Sequence, residues 1–86
     1  MKLFAFSETR YFADEIAREL GLPLAALEER TFEDGEHKAR PLESVRGENV
    51  YVIQSLHGDD AMSPNDKLCR LLFFLATVRE HGARSI

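Results

Sequence analysis

The five residues "VYVIQ" (50–54) decide how the rest of this sequence is read. They are short, β-branched and aromatic, as in a strand buried within a sheet. "SLHGDDAM" (55–62) then reads as a loop leaving the strand's carboxyl end. Ser63-Pro64-Asn65-Asp66 opens a helix: Ser63 caps it, Pro64 suits the first helical position, and Asp66 stands where a capping box needs an acceptor. Leu68, Leu71, Leu72, Phe73, Phe74, Leu75 and Val78 make that helix apolar around most of its circumference. Such a helix is expected to be buried on two sides, one of them against another subunit or domain, with Phe73 and Phe74 at the contact. Gly82 ends the helix, and "ARSI" (83–86) begins a further strand.

Upstream, the same alternation appears. "KLFAFS" (2–7) is a continuous apolar run, expected of a strand covered on both faces. Ser7 offers a helix N-cap with Glu8 in the first turn. Phe12, Ile16 and Leu20 recur every four residues with Ala13 and Ala17 beside them, opposite a polar side, which predicts an amphipathic helix. Gly21 supplies its left-handed terminus and Pro23 prevents resumption. Leu24 to Phe32 extends into "TFEDGE" (31–36), whose Asp34-Gly35 is a hairpin-turn signal. "EHKARPLE" (36–43) returns as a strand too polar for a core, confined to an edge by Pro41. Residues 28–42 thus form a hairpin protruding from the main sheet, and "SVRGEN" (44–49) turns the chain into "VYVIQ". Strands alternating with helices predict an α/β class with a parallel sheet flanked by helices. So few strands make residues 1–86 the front portion of a larger fold.

Composition narrows the function classes. Eighty-six residues, 44% hydrophobic and 30% charged, give one domain with a modest core. A net charge of −4 and a pI near 5.3 argue against nucleic acid and anionic membranes as partners. The single cysteine precludes an internal disulfide and points to a reducing, cytoplasmic compartment. The longest apolar run, "LLFFLA" (71–76), falls far short of a membrane span.

Candidate chemistry is sparse. His37, His57, His81 and Cys69 share no metal-ligand spacing and read as ordinary surface or loop histidines and a small buried thiol. Lys67, Arg70, Arg79 and Arg84 read as a solvated helix face. Asp59 and Asp60 follow the buried strand, where ligands of open α/β sheets bind, and offer carboxylates to a hydrated Mg2+; they are equally ordinary loop residues. Phe32 and Glu36 straddle the Asp34-Gly35 turn. Together they offer a flat ring and an acceptor-only carboxylate, the pair an adenine needs for stacking and for its amino group.

"FEDGE" (32–36), "ESVRGENVYVIQS" (43–55) and "NDKLCRLLFFLATVREHGARSI" (65–86), with "MKLFAFS" and "FADEIARELGLPL" before them, resemble the N-terminal domain of the ribose-phosphate pyrophosphokinase (phosphoribosyl pyrophosphate synthetase) family. The resemblance implies two phosphoribosyltransferase-like, Rossmann-like α/β domains and a homo-oligomer, commonly a hexamer. It implies transfer of diphosphate from ATP to ribose 5-phosphate with Mg2+. It places Phe32 against the adenine of a neighbouring subunit's ATP, with Asp34 and Glu36 near the amino edge. The family's magnesium ligands, basic catalytic loop and ribose-phosphate loop match nothing in residues 1–86, so no catalytic residue is assigned here and the isolated chain is expected to be inactive. Asn65-Asp66-Lys67 departs from the family's Asn-Asp-Asn, and "HKARPL" breaks the usual alternation after Glu36, which suggests a divergent branch. A non-catalytic relative that keeps only an oligomerisation or nucleotide-binding role is the alternative. An unrelated flavodoxin-like binding domain is a third reading.

Overall fold

A computed structural model describes residues 1–31 and 37–86, with the side chains of Thr31 and His37 excepted. Strand β1 (Lys2–Ala5) leads through a single 3-10 turn (Ser7–Thr9) into helix α1 (Arg10–Leu20). Strands β2 (Leu27–Thr31) and β3 (His37–Pro41) follow, then β4 (Val50–Ile53) and helix α2 (Pro64–Glu80). β1 and β4 pair in parallel, from Lys2 opposite Val50 to Ala5 opposite Ile53. β2 and β3 form an antiparallel ladder of their own, from Leu27 opposite Pro41 to Thr31 opposite His37. The α/β class, the parallel pairing and the protruding hairpin are as the sequence predicts, the hairpin ladder spanning 27–41.

The core lies between the parallel pair and α2. Alternation along β1 places Phe4 and Phe6 on one face. Both meet Phe74 of α2 edge to face, with centroids 5.5 and 5.4 Å apart. Ala25, Val45, Val50 and Val78 complete the buried cluster, and Leu27 and Ala39 of the hairpin pack against it. β4 runs between two neighbours: Lys2 N–H donates to the Asn49 carbonyl (2.9 Å), while Val50 N–H donates to that of Ser85 (2.8 Å). Asn49 and Ser85 form a parallel bridge, so "ARSI" does align beside β4.

Four local expectations are corrected. Ser7 does not cap α1: the helix starts three residues later, and Ser7 gives its N–H to Glu29 instead. The side of α1 that turns inward is centred on Ala13 and Ala17, while Phe12 is 58% exposed and Leu20 is also exposed. The small alanines let the helix approach β1 closely, which leaves the bulky row at the rim. β4 is less covered than its composition suggests: Val50 is buried but Tyr51 is 56% exposed. Tyr51 instead lines an apolar cleft of about 610 Å3 with Leu3, Ile16, Leu20, Ile53 and Leu71. Cys69 is exposed, because it lies with Leu68 on the outward side of α2, between the buried Lys67 and Arg70.

Helix ends obey their sequence signals. Ser63 Oγ accepts from Asp66 N–H and Asp66 Oδ2 accepts in turn from Ser63 N–H, both at 3.1 Å, closing the capping box. Gly21 takes a left-handed φ of 68° after α1, and Leu22 N–H reaches back to the Ala17 carbonyl (3.0 Å).

Candidate functional site

The carboxyl ends of parallel strands are where an α/β sheet exposes backbone dipoles and where its ligands bind. Here that corner is filled by the protein's own charges. Four buried residues of α2, namely Lys67, Arg70, Phe74 and Val78, follow helical spacing and form one inward stripe whose first half is cationic. The reading of Lys67 and Arg70 as a solvated face is therefore corrected: they are 4% and 7% exposed. Burying a cation is tolerated only with partners, and each has them.

Arg70 holds two elements at once. Nη1 bonds the carboxylate of Glu8, in the 3-10 turn after β1, and Nη2 bonds Glu29 of β2 at 2.6 Å. Its guanidinium lies 5.2 Å from the Phe6 ring centroid, a cation–π placement, and Nη1 also meets Met62 Sδ. Gln54, at the end of β4, donates to Glu8 (3.3 Å), and Ser7 N–H donates to Glu29 (3.0 Å). Burial pushes the Glu8 carboxyl up, but hydrogen bonds and the Arg70 charge outweigh it and hold the group below its ordinary value. Thr9, buried, donates to the carbonyls of Phe6 (3.2 Å) and Ile53 (3.1 Å) and so ties the ends of β1 and β4 together.

Lys67 fastens the loop after β4. Its ammonium donates to the His57 carbonyl (2.7 Å) and pairs with Asp59 (2.9 Å). Asp59 also accepts from the N–H groups of Ala61 and Met62, both at 2.8 Å. The Lys67 bond, with those amides, lowers the Asp59 carboxyl to about 2. Asp59 is thus a loop brace, its carboxylate engaged by Lys67 and by the Ala61 and Met62 amides. Asp60 is exposed and does not join it. Among the described residues no three His, Cys, Asp or Glu side chains are grouped so as to hold a metal ion.

The "ESVRG" block has a separate structural logic. Glu43 accepts from Lys2 Nζ (2.8 Å) and from Ala26 N–H, pinning the start of the hairpin to β1. The Lys2 bond is the main reason its carboxyl sits below its ordinary value. Val45 is core, and Gly47 takes a φ of 71° while its N–H reaches the Gly82 carbonyl (2.8 Å).

The hairpin is therefore held twice, at its base by Glu43 on the β1 side and at mid-ladder, through Glu29, by Arg70 on the α2 side. Its predicted tip residues, Phe32, Asp34 and Glu36, and the turn at Asp34-Gly35, lie outside the described residues. The Arg70–Glu8–Glu29 cluster was missed at the sequence level. Its three members stand 62 and 41 residues apart, so no local pattern joins them. The one available signal was an arginine in register with Phe74 and Val78.

Comparison with known proteins converges on one family. The family model for the N-terminal domain of ribose phosphate pyrophosphokinase matches residues 1–86. Ribose-phosphate pyrophosphokinase 1 of Streptococcus pneumoniae serotype 4 is 34% identical over 87 residues, covering 100% of this chain and 26% of that protein. A relative from Listeria monocytogenes serotype 4b is 37% identical over 86 residues, with the same coverage. The crystal structure of phosphoribosylpyrophosphate synthetase from Mycobacterium smegmatis superposes with a TM-score of 0.84 at 31% identity, covering 96% of this chain and 26% of that one. The chain thus spans about a quarter of the length of the relatives it matches. With a family model matching residues 1–86 and the fold in agreement over 96% of them, the chain belongs to the family of the N-terminal domain of ribose phosphate pyrophosphokinase.

Proposed function

We propose that this chain is the N-terminal part of a ribose-phosphate diphosphokinase, which transfers diphosphate from ATP to ribose 5-phosphate and yields phosphoribosyl pyrophosphate and AMP. The observation that carries this reading is the family match across all of residues 1–86. In this reading the chain supplies position rather than chemistry. An in-line transfer needs cationic groups and Mg2+ around the moving phosphoryl charge. The buried cations here, Lys67 and Arg70, are already committed to internal carboxylates. The groups that would hold Mg2+, which would offset phosphate charge, belong in this reading to the remainder of the full-length enzyme.

The hairpin is the working part. Phe32 stacks on adenine and Asp34 and Glu36 face its amino edge, in the ATP site of a neighbouring subunit of a homo-oligomer, a hexamer by family. A firm hairpin base supports this role, because a stacking ring is useful only if its approach is preset. The enzyme is placed in the cytoplasm; the lone cysteine supports this, and among the described residues no helix is long and apolar enough to cross a membrane.

The full-length protein should form AMP and phosphoribosyl pyrophosphate from ATP and ribose 5-phosphate, whereas purified residues 1–86 should form neither. Phe32→Ala in the full-length enzyme should weaken ATP binding roughly five- to a hundredfold, the equivalent of about 1–3 kcal/mol of base stacking. Its affinity for ribose 5-phosphate should be nearly fixed. An inactive full-length protein, or unchanged ATP affinity in Phe32→Ala, contradicts the reading.

A further inference from the structure

We infer that Arg70 is a positioning residue for nucleotide binding: by clamping Glu29 of β2 to α2 it fixes the pose of the hairpin, and with it the affinity for the adenine nucleotide. This rests on the reading of the hairpin tip as an adenine contact. The structural part stands on its own observations. Glu29 is the one hairpin carboxylate that reaches the buried end of α2 among the described contacts, and it does so with both oxygens engaged: Oε1 takes Arg70 Nη2 and Oε2 takes Ser7 N–H. Glu28, its neighbour, turns the other way and pairs with exposed Arg40 across the ladder. Alternation along β2 makes this division unavoidable, since adjacent side chains leave opposite faces.

The clamp is stiff for physical reasons. A guanidinium is a planar fork that binds two carboxylates only in a narrow range of orientations. Here the fork is buried and seated against Phe6, so neither Glu8 nor Glu29 gains by moving toward water. Among the described contacts, Glu43 holds only the hairpin's base, through Ala26 N–H, while further along the strands Leu27 and Ala39 meet the core through apolar packing, which slides more readily than a buried ion pair. Glu29 stands two residues before Thr31, at the strand end that leads to the predicted tip. A small rotation at Glu29 is carried outward along β2 to Thr31, the last described residue before the predicted tip.

Glu8 supplies an internal control, because it touches the same guanidinium but belongs to the 3-10 turn and not to the hairpin. In the full-length enzyme, Glu29→Gln, Glu8→Gln and Phe32→Ala are compared for KM of ATP, KM of ribose 5-phosphate, kcat, and backbone amide exchange of β2 and β3. Glu29→Gln should raise KM for ATP roughly three- to tenfold, in the range by which non-contacting residues tune a distant site. Its kcat and KM for ribose 5-phosphate should hold within about twofold, and β2–β3 exchange should quicken. Glu8→Gln should leave both KM values and the ladder's exchange near wild type. Arg70→Lys should follow Glu29→Gln, because one ammonium does not replace a fork. Equal effects of the two glutamine variants, or unchanged exchange in Glu29→Gln, overturn the clamp. A Phe32→Ala enzyme with normal ATP affinity instead overturns the adenine reading and the nucleotide half of this inference, while the exchange difference still decides whether Arg70 holds the hairpin.

Discussion

Asp59 shows how a carboxylate next to a strand end can be absorbed by the fold. Its folded value of about 2 lies below the ordinary 3.8 because Lys67 and two backbone amides favour the charged form. A depressed carboxylate contributes stability that is fully present above its unfolded value and is lost as pH falls through the folded one. The window is therefore the interval from about pH 4 down to about pH 2. Urea midpoints measured across that interval should fall less steeply for Asp59→Asn than for the wild-type protein, and the variant should be the less stable of the two at pH 7. Parallel slopes would mean that the Lys67 contact does not form in solution. At this scale the sequence was partly legible. The capping residues Ser63 and Asp66 and the terminal Gly21 signal their roles locally, because their partners lie within a few residues. Lys67 and Arg70 do not, since a cation on an otherwise apolar helix looks solvated until its distant acceptors are known.

Among the elements, α2 carries the heaviest demand. Its inward stripe fills the core while Leu68, Leu72 and Phe73 remain outside, with Phe73 70% exposed. The adjacent phenylalanines thus have different duties. The expectation that both sit at a subunit contact is corrected for Phe74, which is fully buried between Phe4 and Phe6. Phe74→Glu should abolish folding, because an unpaired charge would replace the ring that joins α2 to β1. Phe73→Glu should keep its circular dichroism and thermal transition, and sedimentation should show a smaller assembly than wild type. Loss of the fold in both variants would contradict the assignment of faces. Element type was readable wherever one period dominated, as in "VYVIQ" and in the α2 run. Which side of α1 faces inward was not. The sequence favours the large Phe12–Ile16–Leu20 row, yet close approach to β1 selects Ala13 and Ala17. Hydrophobicity marks the apolar side of a helix but not the distance at which it packs.

At the scale of the whole molecule, a small parallel sheet and its two helices hold a hairpin ladder anchored through Glu43 and Glu29. Its fold was legible because strand, helix and turn signals agree along the chain. The internal clamp was not, because it exists only once residues 8, 29 and 70 have been brought together. The most direct test of the hairpin's purpose is ATP binding in mixed oligomers of the full-length enzyme. One subunit carries Phe32→Ala with an otherwise intact site; the other keeps Phe32 but has a disabled phosphate-binding loop. Alone, neither homo-oligomer should bind ATP with wild-type affinity. Mixed, the intact sites facing a wild-type tip should recover it if, as proposed, Phe32 acts across the subunit boundary. Mixed oligomers that bind ATP no better than the Phe32→Ala homo-oligomer would contradict that arrangement.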